Sequence, residues 1–245
     1  MPRTTPCLRI AVVALLVLSG RAPADDAASD TVVRDAGYAF SYFGKNLGDE
    51  SFTITRVQNG YRIDAKLALD IDGQIPSTAT YELDADRRLV RATYRELKTN
   101  GAHAEYVIED GVLIARGLGG SARGERRITL ENGAIVTGPH YVTDFFVLEP
   151  LDLAVGARHE QVAYTFGFDG WEPTRVTLKS KRESDKRVAG KTGPRVNTTV
   201  YRCEIVTDRK TFKTRSFLDA DGVSVRIKVS APIGSLNVTL AESRE

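Results

Sequence analysis

The sequence predicts a mainly β fold of antiparallel strands, and two observations carry that reading. The first is a hydrophobic period of two: Tyr61, Ile63, Ala65, Leu67, Leu69 and Ile71 alternate with Arg62, Asp64, Lys66, Ala68 and Asp70. Successive side chains of a strand point to opposite faces, so this segment has one apolar face and one wet face. Parallel strands buried on both sides read instead as continuous apolar runs. The second observation is turn chemistry. Asn59-Gly60, Asp72-Gly73, Asn100-Gly101, Asp110-Gly111, Asn132-Gly133, Asp169-Gly170 and Asp221-Gly222 are Asn/Asp-Gly pairs, and these residues adopt positive φ at low cost in tight hairpins. Together they describe a long meander.

Taken in order, the chain opens with Arg3 and Arg9, an unbroken apolar run from Ile10 to Leu18, and Ala22-Pro23-Ala24 ahead of Asp25 and Asp26. That succession reads as a secretory signal peptide over residues 1–24, cleaved after Ala24, and so as a periplasmic or secreted protein. The apolar run is well short of the ~20 residues a spanning helix needs, so no transmembrane segment is expected in the mature chain. Cys7 lies before the run, whereas lipid attachment needs a cysteine directly after it. Losing Arg3, Arg9 and Arg21 turns a net charge of +2 into −1, which removes any global electrostatic case for nucleic acid. Cys203 then stands alone, so no internal disulfide is expected and a buried core must hold the fold.

Residues 25–36 are small, polar and acidic, and read as a flexible lead-in to a single β domain over residues 37–245. Further ladders follow: Val162, Tyr164, Phe166 and Phe168; then Val223, Val225, Ile227 and Val229; then Leu236, Val238 and Leu240. The meander breaks once, after Gly138-Pro139. Tyr141, Phe145 and Leu148 stand at helical spacing ahead of Pro150, which predicts a short helix, with a bulged strand as the alternative. This break is placed to divide two half-sheets around one core. Lys181 to Pro194, highly charged and containing Gly190 and Gly193, reads as an exposed hairpin tip.

Motifs for chemistry are thin. Gly190-Lys191-Thr192 lacks the earlier glycine of a phosphate-binding loop, Asp185 standing in its place. Gly117 to Ala122 fits a dinucleotide fingerprint only loosely, because Arg123 to Leu130 reads as a strand; a flexible connector is the plainer reading. Asp70-Ile71-Asp72, Asp84-Ala85-Asp86 and Asp219-Ala220-Asp221 lack the further ligands calcium demands and read as hairpin turns. No metal site or cofactor is called for. His140 and Asp144, four apart, would share a helix face and form an acid–base pair, though a surface or capping hydrogen bond is the commoner outcome. Cys203 lies in phase with Tyr201 and Ile205, which makes it a core thiol rather than a nucleophile. Asn197-Thr198-Thr199 and Asn237-Val238-Thr239 match the N-glycosylation sequence.

The stretches Tyr38 to Gly44 and Gly48 to Ile54, then Asp144 to Leu151, Ser216 to Ile227 and Ile233 to Leu236, give the chain a recognisable layout. It resembles a family of uncharacterised bacterial periplasmic proteins classed only as a domain of unknown function. The resemblance implies an incomplete β-barrel of the kind found in LolA-type lipoprotein carriers, in which one large curved antiparallel sheet is covered on its concave side by helical or loop elements. It implies no catalytic residues.

The functional expectation is an exported, non-catalytic envelope protein that binds a lipid, an acyl chain or a lipidated partner on that concave face. A curved apolar face must be filled by its own side chains, closed on itself, or occupied. Tyr141, Phe145, Phe146 and Trp171 are the candidate ligand-binding residues, with plain core packing as the competing role for each. The alternative is a structural subunit of an envelope assembly. A third reading is a hydrolase-type enzyme with a cleft around His140, Asp144 or Cys203.

Overall fold

The structure, a computed structural model, describes residues 30–69, 75–167, 170–191, 193–208, 210–230 and 235–242. The signal peptide read over residues 1–24 lies outside these, as do Asp72-Gly73, Phe168 and Asp169.

The first eight strands form an unbroken meander: β1 (Thr31–Tyr42), β2 (Lys45–Val57), β3 (Gly60–Leu69), β4 (Ser77–Asp84), β5 (Leu89–Glu96), β6 (His103–Glu109), β7 (Val112–Gly119) and β8 (Ala122–Thr129). The second half comprises β9 (Ile135–Thr137), β10 (Arg158–Thr165), β11 (Thr174–Ala189), β12 (Arg195–Val206), β13 (Thr211–Leu218), β14 (Ser224–Ser230) and β15 (Ser235–Glu242). All fifteen belong to one sheet in the order β8-β7-β6-β5-β4-β3-β2-β1-β15-β14-β13-β12-β11-β10-β9. The halves join where β1 pairs with β15, Tyr38 opposite Leu240 and Phe40 opposite Val238. A twisted sheet of this many strands curls, because the twist between neighbours accumulates. Here β8 and β9 are the two ends and do not pair, so the sheet is curved and open.

The alternation seen in the sequence fixes which face is buried. On β3, Ile63, Ala65, Leu67 and Leu69 are buried, while Arg62, Asp64, Lys66 and Ala68 face outward. On β14 and β15, Ile227, Val238 and Leu240 enter the same core. Hairpin turns fall where expected at Asn59-Gly60, Asp110-Gly111 and Asp221-Gly222. Asp110 (φ 49°) and Gly111 (φ 74°) both take the left-handed conformation that matches strand twist in a two-residue turn.

Four features differ from the sequence reading, each for a physical reason. The lead-in was read as ending at residue 36, but β1 begins at Thr31, because Thr31 to Ala36 find ladder partners from Arg56 to Phe52 on β2. Asn132-Gly133 does not close a hairpin: β9 leaves β8 and pairs in parallel with β10. A parallel pair needs a long crossover, and residues 138–157 supply it. Gly117 to Ala122 is no flexible connector; Gly120 and Ser121 form a tight turn between β7 and β8. The segment read as an exposed tip from Lys181 is strand as far as Ala189. Arg182 is buried over the Tyr201 ring, and Glu183 bonds Arg202 and Arg215. Charge on a strand is tolerated where each head finds a partner. The short helix predicted after Pro139 is present as one turn, α1 (Asp144–Val147), between 3₁₀ turns at Tyr141–Thr143 and Glu149–Leu151.

That crossover covers the concave face. Phe145 and Phe146 pack on Tyr61 and Tyr81 (ring centroids 5.4 and 5.5 Å), and Tyr141 meets Phe40 edge-on at 4.9 Å. Beyond β10, Phe166 stacks on Tyr106 at 3.8 Å and also contacts Tyr81 and Tyr94, so the two halves close on an aromatic centre.

Candidate functional site

The covering segment is held by polar groups buried beneath it rather than by strand pairing. On β2 the inward positions are Glu50, Phe52 and Ile54, and Glu50 is fully buried (0% exposed). Its Oε2 accepts the Tyr141 N–H at 2.8 Å and its Oε1 the Val142 N–H at 2.9 Å. The first N–H groups of a helical turn have no partner within the turn, and a carboxylate satisfies them. Burial nevertheless pushes the Glu50 acid up to about 8; the two N–H bonds oppose the shift and the neighbouring Asp144 adds to it.

Asp144 opens α1 and accepts the Ser224 hydroxyl at 2.8 Å, which ties the segment to β14. Burial raises its acid to about 6, against the Ser216 and Ser224 side chains. Tyr38, opposite Glu50 in the ladder, has a buried hydroxyl with no hydrogen-bond partner among the described residues. Burial, then Glu50 and Asp144, raise it well above the usual phenol range. His140 is 1% exposed, and its Nδ1 shares a 2.7 Å hydrogen bond with the Tyr81 hydroxyl. Burial lowers the imidazole to about 4, so it is neutral at physiological pH. Gly138 makes this approach possible, because a Cβ there would lie 2.3 Å from the Tyr81 hydroxyl oxygen.

Of the four candidate ligand-binding residues, Tyr141, Phe145 and Phe146 are brought together on the covering segment. Tyr141 is half-buried, and Phe145 and Phe146 are buried. The Arg87 guanidinium sits 4.0 Å from the Phe145 ring centre and pairs with Glu149 at 2.6 Å, clamping the far end of the segment. Trp171 is buried in the β10–β11 connection, where its carbonyl accepts the Tyr106 hydroxyl at 2.5 Å. All four belong to the core or pack on it.

His140 and Asp144 do not form the pair their spacing suggested. One turns to Tyr81 and the other to Ser224, because the segment is 3₁₀ through Thr143 and not helical from Tyr141. Cys203 is buried beside Ser180, 3.7 Å from its hydroxyl, and burial pushes the thiol up to about 12. Such a thiol is a poor nucleophile. Two grooves, of about 530 and 450 Å³, are lined by none of His140, Asp144, Cys203 and the four aromatics. Asp219 and Asp221, in one of the acidic turns, both bond Arg34, at 2.7 and 2.9 Å.

The residues that sequence reasoning missed are Glu50, Tyr38 and Tyr81. Glu50 had a legible signal, a charged side chain in phase with Phe52 and Ile54 on the inward side of its strand. The two tyrosines had none, since an inward tyrosine reads as ordinary core.

In fold, the chain is similar to a β-barrel-like protein of the domain of unknown function DUF1849 from Brucella abortus. The TM-score is 0.59 at 13% identity, over 86% of this chain and 98% of that one. A weaker likeness, with TM-score 0.44 at 17% identity over 89% and 95% of the two chains, is to a DUF1089 family protein from Pseudomonas aeruginosa. No family model matches the chain, and no curated protein matches it. What is shown is architecture: an open, β-barrel-like sheet shared with a bacterial domain of unknown function.

Proposed function

We propose that the protein is an exported envelope component that binds an apolar ligand, an acyl chain or a lipidated partner, between the concave sheet face and its covering segment. It performs no catalysis. One observation carries this reading: the aromatic face is closed by a single helical turn and two 3₁₀ turns that pair with no strand. Their polar attachment is a few bonds, chiefly those to Glu50, Ser224 and Arg87. A short helix of this kind has no stability of its own. When it lifts, Tyr61, Tyr81 and Phe40 become a ready apolar surface, so the segment serves as core when the protein is empty and as a lid when it is loaded. Export rests on the three-part N-terminus, and the LolA-like mode of carriage on the layout of sheet and cover.

The rival reading, a structural subunit joined edge to edge, meets an obstacle at β8. Arg123, Glu125, Arg126 and Arg127 are all exposed there, and Arg126 pairs with Glu172 at 3.2 Å. Charges on an end strand discourage strand addition.

The test is native mass spectrometry of protein purified from its own envelope, followed by titration of the delipidated protein with a fluorescent fatty acid. A bound lipid mass and a saturable signal that quenches Trp171, the single tryptophan, are expected. A lipid-free protein that ignores the fatty acid, with or without a co-purifying protein subunit, refutes the proposal.

A further inference from the structure

The outer face of β2 to β6 carries a groove that the apolar-ligand reading leaves unused. Strand register lines up its side chains: Ser51 lies opposite Lys66, Lys66 opposite Thr78, Thr78 opposite Arg95, and Arg95 opposite His103. A second row, two residues along each strand, includes Asp35 and Asp64. The groove between them has a volume of about 530 Å³, within the range of small-ligand sites.

Its charges are unequally satisfied. Asp64 accepts Arg62 at 2.9 Å and the Thr80 hydroxyl at 2.6 Å, and Asp35 accepts the Thr53 hydroxyl at 3.2 Å. Nearby outer-face arginines are matched too: Arg91 bonds Glu105, and Arg116 and Arg127 bond Glu125. Lys66, Arg95 and His103 make no ion pair or side-chain hydrogen bond among the described residues, and neither do the hydroxyls of Ser51 and Thr93. Among the described residues the unmatched Lys66, Arg95 and His103 gather in one concavity.

Lys66 and Arg95 flank Thr78 at two strand spacings, roughly 10 Å between backbones. Both side chains are long enough to converge on one anionic group above Thr78. The free hydroxyls then stand beside that group, placed to exchange hydrogen bonds with a polyhydroxylated body. We propose that this groove is a binding site for a small carbohydrate bearing one anionic group, a phosphate or a carboxylate, held by Lys66, Arg95 and His103. The site lies on the opposite face from the covering segment and stands or falls independently of the apolar ligand.

The test is a titration of the ¹⁵N-labelled mature protein with glucose 6-phosphate, glucuronate, glucose and inorganic phosphate, at about 50 mM salt so that screening stays weak. Saturable shifts confined to the groove amides are expected with at least one of the two charged sugars, and which of them binds identifies the anion. Glucose and inorganic phosphate should each bind roughly tenfold more weakly, because each lacks one half of the recognised chemistry. The double variant Lys66→Gln, Arg95→Gln should lose about tenfold in affinity for the charged sugar. Arg127→Gln, outside the groove, should lose none. Both changes are at exposed outer positions, so dichroism should match wild type and fatty-acid binding should persist. The proposal fails if neither charged sugar saturates. It fails equally if glucose or phosphate alone matches them, or if the double variant binds as wild type does.

Discussion

Replacing Glu50 by Gln should make the protein more stable at alkaline pH, and the size of the gain follows from where the carboxyl sits. The acid is raised from 4.5 to about 8 in the folded protein, first by burial. A raised carboxyl favours folding fully while protonated, below its unfolded pKa, and that contribution is lost as pH climbs through the folded value. Between pH 5 and pH 9 the wild type should therefore lose roughly 4 kcal/mol that a neutral amide does not lose, at about 1.4 kcal/mol per unit. His140 and Asp144 titrate in both proteins, so the difference between the two curves isolates position 50. Gln keeps one carbonyl oxygen to accept from Tyr141 or Val142, and should give up about 1 kcal/mol at pH 5 for the lost second bond. The two stability curves should then cross. Urea unfolding monitored by Trp171 emission at pH 5, 7 and 9 measures this directly. Parallel curves across that range would show that Glu50 is ionised throughout, and would refute the argument that burial outweighs its two N–H donors.

Two further outcomes follow from single contacts. Gly138→Ala drives a methyl to 2.3 Å from the Tyr81 hydroxyl and should cost about 2 kcal/mol by forcing the covering segment outward, read as a lower urea midpoint with unchanged slope. Cys203, 2% exposed with its thiol pushed up to about 12, should resist an aromatic disulfide reagent in the folded protein at pH 8 and react at once in denaturant; fast native labelling would contradict its placement.

The strands were the most legible part of the fold, because a one-sided sheet writes its burial into the sequence as alternation, as β3, β14 and β15 show. Where alternation stops meaning apolar against polar, legibility stops too. β11 runs on through Arg182 and Glu183, whose burial depends on Tyr201, Arg202 and Arg215 from strands that no local pattern announces. Glu50 broke the pattern visibly, yet its partners lie about ninety residues away, on a segment whose backbone N–H groups carry no side-chain signature. The aromatics of that segment were singled out together, but helical spacing could not show that only one true turn would form. The unmatched side chains of the outer groove were invisible for a similar reason, since Lys66, Arg95 and His103 become neighbours only through register.

The seam between Tyr38 and Leu240 has a kinetic consequence. Each half of the sheet can assemble from neighbouring hairpins with small loops to close, but the halves meet only when strands about two hundred residues apart find each other. Contacts of such sequence separation are slow to form. Until that seam zips, β1 and β15 each present a bare strand edge beside one apolar face. On the proposed export route, a chain threaded through a membrane from its N-terminus would hold β1 in waiting throughout delivery, dependent on a chaperone or on speed to keep that edge from other partners.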